Sequence, residues 1–275
     1  MVMCPVCDSP TKVVEEPFYR CPRDGLLVYA EGTELTYEDD YFGLEYKNQY
    51  GKTYLEDREA ILARNHWRLK EFHTRIRLSG KKKRLLEVGC AYGFFLEAAK
   101  NYGYELEGWE LSQKAAQYCQ NRGFAVKVGD FFALYENWQK QKRPPYDVVA
   151  AFYTIEHFRW QRQFWSAAAH LVSRGGYLLL SLPSCWGPLF YFHRRKWYEN
   201  HPRDHFVDYS PRSLAKIGKS FGFKLLLTKS EGIHPNRFWG GSLPFLRSFF
   251  RKIQEKIPFS DTIYAVLRKD RDESF

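Results

Sequence analysis

The sequence contains no run of about 18 consecutive apolar residues, which is the length that a membrane-spanning helix needs. Its first residues, MVMCPVCDSP, also lack the basic stretch followed by an apolar run that is typical of a secretory leader. Six cysteines among 275 residues, three of them within the first 21, do not resemble the framework of a disulfide-rich secreted domain. We therefore expect a cytoplasmic protein whose clustered cysteines bind a metal or remain thiols.

The overall composition is that of a folded globular protein. Apolar residues make up 44% of the chain and charged residues 27%, which excludes disorder as the main state. A chain of 275 residues has room for one main domain and a small appendage. The 42 lysine and arginine residues exceed the 32 acidic residues and give a net charge of +10. A basic balance of this kind suits an anionic substrate, a membrane surface or nucleic acid.

The first 30 residues carry a motif that is typical of zinc ribbons. Segments CPVC and CPRD place Cys4, Cys7, Cys21 and Asp24 at the spacing of two metal-binding turns. Two such turns usually supply four thiolates to one tetrahedral zinc ion, and a carboxylate can replace one of them. The motif predicts a closed, structural zinc site. The alternative is a degenerate ribbon that keeps the fold without the ion.

Beyond residue 30 the hydrophobic pattern changes twice. Residues 53–79 carry apolar side chains at helical spacing and predict one long helix. From residue 84 onward, short apolar segments alternate with helix-compatible stretches, which predicts a parallel sheet covered by helices. The predicted strands are 84–88, 104–110, 124–128, 146–153, 175–183, 223–230 and 262–269.

These patterns divide the chain into three parts. Residues 1–30 form the ribbon-like module, residues 31–80 a linker with the N-terminal helix, and residues 81–275 the α/β domain. Within that domain, residues 184–210 and 232–260 are predicted insertions on the substrate side. The sequence has no internal repeat and no low-complexity linker.

A glycine-rich turn follows the first predicted strand of the α/β domain. It places Gly89, Ala91 and Gly93 between strand and helix, where small residues let a ligand approach the backbone. The next strand ends in Glu110, whose carboxylate can accept hydrogen bonds from both hydroxyls of a ribose. Asp130 follows the third strand and suits either an adenine amino group or a helix N-cap. Together these positions predict a site for an adenosine compound.

Two common nucleotide motifs are absent from this turn. No Gly-Lys-Ser/Thr triplet follows it, so the phosphate-binding loop of kinases is excluded. The dinucleotide fingerprint requires glycine at three positions, and the segment GCAYGF supplies it at two. The sequence therefore disfavours a dehydrogenase.

The segments EVGCAYG, WELS, GDF, YDVVAAFYTIEH and GGYLLLSLP occur in the order that is characteristic of one family. They resemble the class I S-adenosylmethionine-dependent methyltransferases, in the bacterial small-molecule branch that includes quinone-ring and sugar methyltransferases. The resemblance implies a Rossmann-like, mostly parallel sheet of seven strands, with S-adenosylmethionine as cofactor. Ala91 departs from the family pattern, which often has glycine there. The implied cofactor-binding residues are Glu87, Gly89, Ala91 and Gly93 for the methionine half, Glu110 for the ribose, and Asp130 and Phe131 for the adenine.

The loop after the fourth strand contains a candidate catalytic base. An imidazole titrates near neutral pH, so His157 is suited to remove a proton from a methyl acceptor; the alternative is a histidine that only orients the loop. His205 resembles a histidine that borders the substrate pocket in related methyltransferases, although it could instead pack its loop against the sheet. Glu156 is interpreted as a structural or pocket-lining carboxylate. Metal binding by His201, Asp204 and His205 is a further alternative.

The basic charge is concentrated in the C-terminal third of the chain. Residues 186–275 contain 17 lysine and arginine residues against nine acidic ones, so they carry +8 of the net +10. Within them, residues 242–259 have apolar positions at helical spacing opposite basic ones, which predicts an amphipathic helix. We expect this helix to pack on the domain core; the alternative is a lid that contacts the inner face of a membrane.

The sequence thus predicts an enzyme that transfers a methyl group from S-adenosylmethionine to a small molecule. The preferred acceptor is an oxygen atom of a sugar, of a glycan or of a lipid-linked precursor, and the glycan could be anionic. The alternative acceptor is a quinone-type ring. A second alternative is a nucleic-acid-associated protein that uses the ribbon and the basic surface. Two features argue against it: residues 1–30 carry three basic and four acidic residues, and the Asn/Asp-Pro-Pro-aromatic signature of many amino-methylating enzymes is absent.

Overall fold

The strands and helices of the protein are taken from a computed structural model that describes residues 1–34, 46–47, 51–76, 83–232 and 258–270. In chain order the strands are β1 (Lys12–Glu15), β2 (Phe18–Arg20), β3 (Leu27–Tyr29), β4 (Lys83–Val88), β5 (Tyr104–Glu110), β6 (Ala125–Val128), β7 (Tyr146–Phe152), β8 (Val172–Pro183), β9 (Val207–Asp208), β10 (Phe223–Gly232) and β11 (Thr262–Lys269). The helices are α1 (Arg58–Arg75), α2 (Phe94–Ala99), α3 (Gln113–Asn121), α4 (Phe131–Lys140), α5 (Gln161–Leu171), α6 (Pro188–Phe192), α7 (Arg194–Glu199) and α8 (Pro211–Ser220).

These elements group into two compact units. The first unit is built from residues 1–34, 153–169 and 178–275, and the second from residues 35–152 and 170–177. The first unit therefore joins the N-terminal segment to the C-terminal part of the chain. The glycine-rich turn belongs to the second unit.

The larger sheet has seven strands, within the described residues, in the order β10-β11-β8-β7-β4-β5-β6. Strand β4 is parallel to both β5 and β7, β5 is parallel to β6, and β10 is antiparallel to β11. Strand β7 reads YDVVAAF and is almost continuously apolar, as expected for a strand that is buried on both faces. This arrangement confirms the predicted Rossmann-like, mostly parallel α/β fold.

The seven predicted strands agree with the observed ones to within three residues at each end, whereas helix α1 is shorter than predicted. It begins at Arg58 instead of residue 53, and a separate turn over residues 54–57 precedes it. The Thr53 amide donates to the Glu56 carboxylate at 2.7 Å, and the Glu56 amide donates back to the Thr53 hydroxyl at 3.2 Å. Of the predicted C-terminal end, residues 77–79 lie outside the described residues.

A smaller sheet in the first unit has the order β1-β2-β3-β9. Strands β1, β2 and β3 are antiparallel neighbours in sequence, and β3 pairs with β9 through Leu27↔Asp208 and Val28↔Val207. Phe18 and Leu27 of this sheet pack in one apolar cluster with Phe190 and Trp197 of helices α6 and α7. The predicted ribbon and the predicted 184–210 insertion therefore share a sheet and a core.

Membrane contact was an open alternative for the C-terminal part of the chain. Among the described residues, no helix combines the length and the apolar character that crossing a membrane requires. Most of the amphipathic helix predicted over residues 242–259, from 242 to 257, lies outside the described residues.

Glu107 on β5 forms a charged cluster in the second unit that bears on acid stability. Its carboxylate accepts two hydrogen bonds from Arg143, at 2.9 and 2.8 Å, and one from the Trp109 indole at 3.0 Å. Burial acts to raise the pKa of this carboxyl, but the bonds from Arg143 and Trp109 outweigh it and lower the pKa to about 2. The folded pKa thus lies below the unfolded value of about 4.3. Stability from Glu107 is therefore present above about pH 4.3 and is lost as the pH falls toward the folded pKa.

We expect Glu107→Gln to lower the free energy of unfolding by about 2 kcal/mol near neutral pH, because Arg143 loses a charged, bidentate partner. The difference from the unmodified protein should shrink as the solution is acidified. Chemical denaturation at several pH values measures both effects. Glu105→Gln, an exposed change on the same strand, is the matched control. Equal stability of Glu107→Gln and the unmodified protein near neutral pH would contradict the prediction.

Candidate active site

The glycine-rich turn joins β4 to α2 in a conformation that few residue types adopt. Gly89, Ala91 and Gly93 all have positive φ, at 69°, 46° and 71°. A Cβ atom at Gly93 would lie 2.8 Å from the Cys119 sulfur, so both the backbone and the space require glycine there. Ala91 holds its methyl group in the left-handed region, which costs about 1 kcal/mol for a residue with a side chain. This backbone agrees with a family pattern that often has glycine at that position.

Glu110, the last residue of β5, directs its carboxylate at this turn. Oε2 accepts a hydrogen bond from the Ala91 amide at 2.7 Å, and Oε1 accepts one from the Ser112 amide at 2.8 Å. Burial raises the pKa of Glu110, while the amides of Ser112 and Ala91 act in the opposite direction. An ionised carboxylate has about four acceptor positions, so acceptor capacity remains for two ribose hydroxyls.

The second unit contains two buried side chains of opposite charge, Glu87 on β4 and Arg68 on α1. The two residues are 4% and 3% exposed. Burial raises the pKa of Glu87 well above its usual value, and the positive charge of Arg68 acts to lower it. Within the described residues Oε2 of Glu87 has no hydrogen-bond partner. A carboxylate and a guanidinium suit the amino and carboxylate groups of an amino-acid moiety.

Sequence reasoning missed two residues of this unit, Arg68 and Tyr54. The Arg68 guanidinium lies 4.1 Å from the ring centre of Phe152, and Tyr54 stacks on Phe94 with ring centres 5.5 Å apart. The charges of Glu87 and Arg68 both influence the pKa of Tyr54, which burial raises. The available signal was the position of Arg68 on the apolar face of a helix, where charged side chains are rare.

Asp130 and Phe131 begin helix α4. Oδ1 of Asp130 accepts hydrogen bonds from the amides of Phe132 at 2.8 Å and Ala133 at 3.2 Å, so the N-cap alternative is observed. Asp130 is exposed. Phe131 is buried, with its ring 6.0 Å from that of Trp109. A contact of Asp130 and Phe131 with adenine stays a prediction.

The two predicted catalytic histidines lie side by side in the first unit. Their rings meet edge-on, with the centres of His157 and His205 4.8 Å apart. Nδ1 of His157 lies 2.9 Å from a carboxylate oxygen of Asp204. Burial acts to lower the pKa of His157, but Asp204 and the charge of Glu156 outweigh it and raise the pKa. Glu156 is 1% exposed, so it belongs to the interior of this unit.

The structure does not bring His201, Asp204 and His205 together as a metal-binding group, which was one alternative from the sequence. Asp204 pairs with His157 instead, because Nε2 of His201 is bound 2.8 Å from the carboxylate of Asp208. The histidine-containing groups that could hold a metal, among the described residues, are Glu156 with His157 and His205, and His201 with His205 and Asp208.

The four predicted zinc ligands converge at the N-terminus of the first unit. Cys4, Cys7, Cys21 and Asp24 each offer one ligand atom, and these atoms all lie within 4.8 Å of one another. The Cys4 thiol donates to Asp24 at 3.3 Å, and the sulfurs of Cys7 and Cys21 are 3.5 Å apart. Three sulfurs and one carboxylate form a donor set that suits tetrahedral zinc.

Comparison with curated proteins adds independent support for the family. A family model described as a methyltransferase domain matches residues 54–228, which is more than half of the chain. A ubiquinone biosynthesis O-methyltransferase from Thiobacillus denitrificans is 30% identical over 119 residues, covering 42% of this chain and 50% of that protein. The chain thus spans about half the length of the curated relatives it matches.

Solved structures share the fold. An S-adenosylmethionine-dependent methyltransferase from Archaeoglobus fulgidus matches with a TM-score of 0.56 at 19% identity, covering 82% of this chain and 98% of that one. The magnesium protoporphyrin IX methyltransferase of Synechocystis, solved with bound S-adenosylhomocysteine, matches with a TM-score of 0.52 at 13% identity, covering 84% and 97%. The predicted resemblance is confirmed. The chain belongs to the methyltransferase-domain family, in the class I branch whose methyl donor is S-adenosylmethionine.

Proposed function

We propose that the protein transfers the methyl group of S-adenosylmethionine to a hydroxyl oxygen of a small molecule. The observation that carries this proposal is the Glu110 carboxylate bonded to the amide of Ala91 at 2.7 Å. It links the end of β5 to the turn after β4, and ligands of parallel α/β sheets bind beyond such strand ends. The reaction type follows from membership of the methyltransferase-domain family. The acceptor is proposed from the named relatives and from the aromatic side chains of residues 184–210.

A hydroxylated aromatic ring of the quinone type is the acceptor that we favour. The matching curated relatives are named ubiquinone biosynthesis O-methyltransferases, which supports this ring over the sugar or glycan preferred from the sequence. Tyr and Trp side chains in residues 184–210 would suit a flat ring.

The residues of the second unit are proposed to hold the cofactor. Arg68 would bind the carboxylate of its methionine half and Glu87 the amino group, while the turn from Gly89 to Gly93 lies against the backbone of the ligand. Glu110 would accept hydrogen bonds from the ribose hydroxyls. When bound, the cofactor supplies an electrophilic methyl group on a positively charged sulfur.

The histidines of the first unit are proposed to receive the acceptor proton. Transfer forms a carbon–oxygen bond and breaks the carbon–sulfur bond, and the hydroxyl loses a proton that a base must accept. His157 is held by Asp204 and lies beside His205, so either ring can serve. The position of His157 supports this assignment, since it follows the carboxyl end of β7 by five residues.

The converging N-terminal ligands support a structural zinc ion. We propose that Cys4, Cys7, Cys21 and Asp24 bind it, leaving no open position for chemistry. The ribbon module would then stabilise the sheet that β3 forms with β9.

Methyl transfer from radiolabelled S-adenosylmethionine tests the proposed function. The purified chain should label an aromatic ring with adjacent hydroxyls and should leave simple sugars unlabelled, and mass spectrometry should find the added methyl on oxygen. Calorimetry with S-adenosylhomocysteine measures cofactor binding separately. Failure to bind either cofactor form would overturn the whole proposal, whereas binding with labelling of sugars alone would overturn only the acceptor.

A further inference from the structure

The N-terminal strands hold residues 203–208, which we call the β9 segment, through main-chain hydrogen bonds. The Thr33 amide donates to the Arg203 carbonyl at 2.8 Å, and the Tyr29 amide donates to the Phe206 carbonyl at 3.0 Å. The end of the segment pairs with β3 as strand β9. Buried backbone groups that lose such a partner cost free energy, so the path of the segment depends on the N-terminal strands.

The β9 segment carries two residues that contact the proposed base His157. The rings of His205 and His157 have centres 4.8 Å apart, and a carboxylate oxygen of Asp204 lies 2.9 Å from Nδ1 of His157. The Phe206 amide donates to the Glu156 carbonyl at 2.8 Å, which joins the segment to the turn that follows β7. A shift of the β9 segment would therefore displace His205 and Asp204 together relative to His157.

Gly32 lies too close to the β9 segment to carry a side chain. A Cβ atom there would lie 2.6 Å from a ring carbon of Phe206 and 3.2 Å from the carbonyl oxygen of His205. Carbon atoms in favourable contact are about 3.5 to 4.0 Å apart, so a methyl group would push against both the ring and the main chain. Gly32 does not have a positive φ, so the restriction comes from space and not from backbone conformation.

A second line of contact runs from the N-terminal strands to His205 through aromatic rings. Phe18 on β2 and Tyr29 on β3 meet the ring of His201, with ring centres 5.0 and 4.7 Å apart. The ring of His201 in turn meets that of His205 at 5.6 Å, and its Nε2 lies 2.8 Å from the carboxylate of Asp208. Ring packing and main-chain hydrogen bonds thus act on the same segment.

Strand β3 is itself anchored by the ribbon turn that precedes it. Oδ1 of Asp24 accepts a hydrogen bond from the Leu26 amide at 2.9 Å, and the Cys21 amide donates to the Leu26 carbonyl at 2.9 Å. Leu27, the first residue of β3, is fully buried. The contacts therefore run without a break from the ribbon turn to β3 and from β3 to the β9 segment.

We propose that the N-terminal ribbon is a positioning element of the acceptor site, which sets where His205 and Asp204 stand relative to His157. Gly32 and Tyr29 are positioning residues, because they act on these side chains through the β9 segment. The inference rests on the proposed function and deepens it. The residues proposed to hold the cofactor belong to the second unit, so a change in the ribbon should alter methyl transfer and leave cofactor binding unaltered.

Gly32→Ala tests the inference in the full chain. We expect the rate of methyl transfer at saturating cofactor and acceptor to fall at least about tenfold, because a small misplacement of a reacting group slows a reaction strongly. The dissociation constant of S-adenosylhomocysteine, measured by calorimetry, should stay unchanged. Tyr29→Leu, which removes the ring beside His201 and keeps the main-chain hydrogen bonds, should cause a smaller loss of rate.

Nuclear magnetic resonance of the histidine rings detects the same displacement without any acceptor. In protein labelled at histidine, the ring signals of His157 and His205 are assigned from their absence in the variants His157→Gln and His205→Gln. Gly32→Ala should shift both signals and should leave those of His73 and His170, in the second unit, unchanged. This measurement does not depend on which acceptor the protein uses.

Controls separate positioning from a general loss of stability. Glu31→Ala changes the exposed residue beside Gly32 and should leave both the transfer rate and the histidine signals unchanged. Thermal unfolding establishes that each variant is folded, and Tyr29→Leu decides by the same two measurements if Gly32→Ala does not fold.

Two results would overturn the inference while leaving methyl transfer untouched. One is an unchanged transfer rate in folded Gly32→Ala, and the other is unchanged ring signals of His157 and His205. Weaker cofactor binding in Gly32→Ala would also overturn it, because the ribbon would then act on the cofactor. Failure of the unmodified protein to bind S-adenosylhomocysteine would instead contradict the proposed function.

Discussion

Glu110→Gln is expected to weaken the binding of S-adenosylmethionine by at least about 100-fold. An amide group offers one acceptor oxygen where the carboxylate offers two, and its NH₂ group would face either the Ala91 or the Ser112 amide, donor against donor. Losing two charge-assisted hydrogen bonds corresponds to about 3 kcal/mol or more of binding free energy. The substitution therefore affects the ligand contact and the turn together.

Isothermal titration calorimetry of the purified variant measures this effect directly. Glu105→Gln, an exposed glutamate on the same strand, is the matched control and should bind the cofactor normally. Thermal unfolding establishes that both variants are folded. An unchanged dissociation constant for Glu110→Gln would refute the role proposed for this carboxylate. Since burial raises the pKa of Glu110, cofactor binding should also weaken on acidification sooner than an ordinary glutamate would allow.

Cys4→Ser is expected to abolish zinc binding and to destabilise the first unit by at least about 3 kcal/mol. A structural zinc site contributes its binding free energy to folding, because the unfolded chain does not hold the ligands together. Cys4 is fully buried and bonds to Asp24, so the change removes a ligand from the centre of the site. Metal analysis of the purified protein and chemical denaturation, each with and without a chelator, measure the two effects.

The fourth ligand provides a complementary variant. Asp24→Cys should bind zinc more tightly than the unmodified protein, because a thiolate is a better zinc ligand than a carboxylate. Asp8→Asn changes an exposed carboxylate of the same segment that pairs with Arg162, and it should leave the zinc content unchanged. A metal-free protein whose unfolding does not respond to a chelator would show that the ribbon is degenerate.

Local pattern was sufficient for the strands and the glycine-rich turn. Strand β7 is a short, almost continuously apolar segment, and in β5 glutamates alternate with apolar residues, so the pattern of each indicates a strand. Glu110 could be assigned because the end of a parallel strand fixes where its last side chain lies relative to the turn of the neighbouring strand. Both inferences need only residues that are close in sequence or related by a fold rule.

Pairings between distant segments could not be read from the sequence. The sequence left Glu156 as a structural or pocket-lining carboxylate, because nothing local shows that His205 lies close to it. Likewise, Asp204 pairs with His157, whereas His201 pairs with Asp208, and neither pairing is evident from the sequence. Arg68 was not predicted as a site residue because its helix was placed outside the α/β domain, although a buried arginine needs a compensating group wherever it occurs.

The pairing of β3 with β9 has a consequence for co-translational folding. Val28 on β3 pairs with Val207 on β9, so about 180 further residues must be synthesised before strands β1, β2 and β3 can pair with their fourth strand. At a translation speed of about 5 to 20 residues per second, that synthesis takes roughly 10 to 40 seconds. Throughout it the nascent chain carries an open strand edge, the kind of surface that invites mispairing with other chains. If the proposed zinc ion binds early, it would hold the N-terminal strands in their folded arrangement until β9 is synthesised.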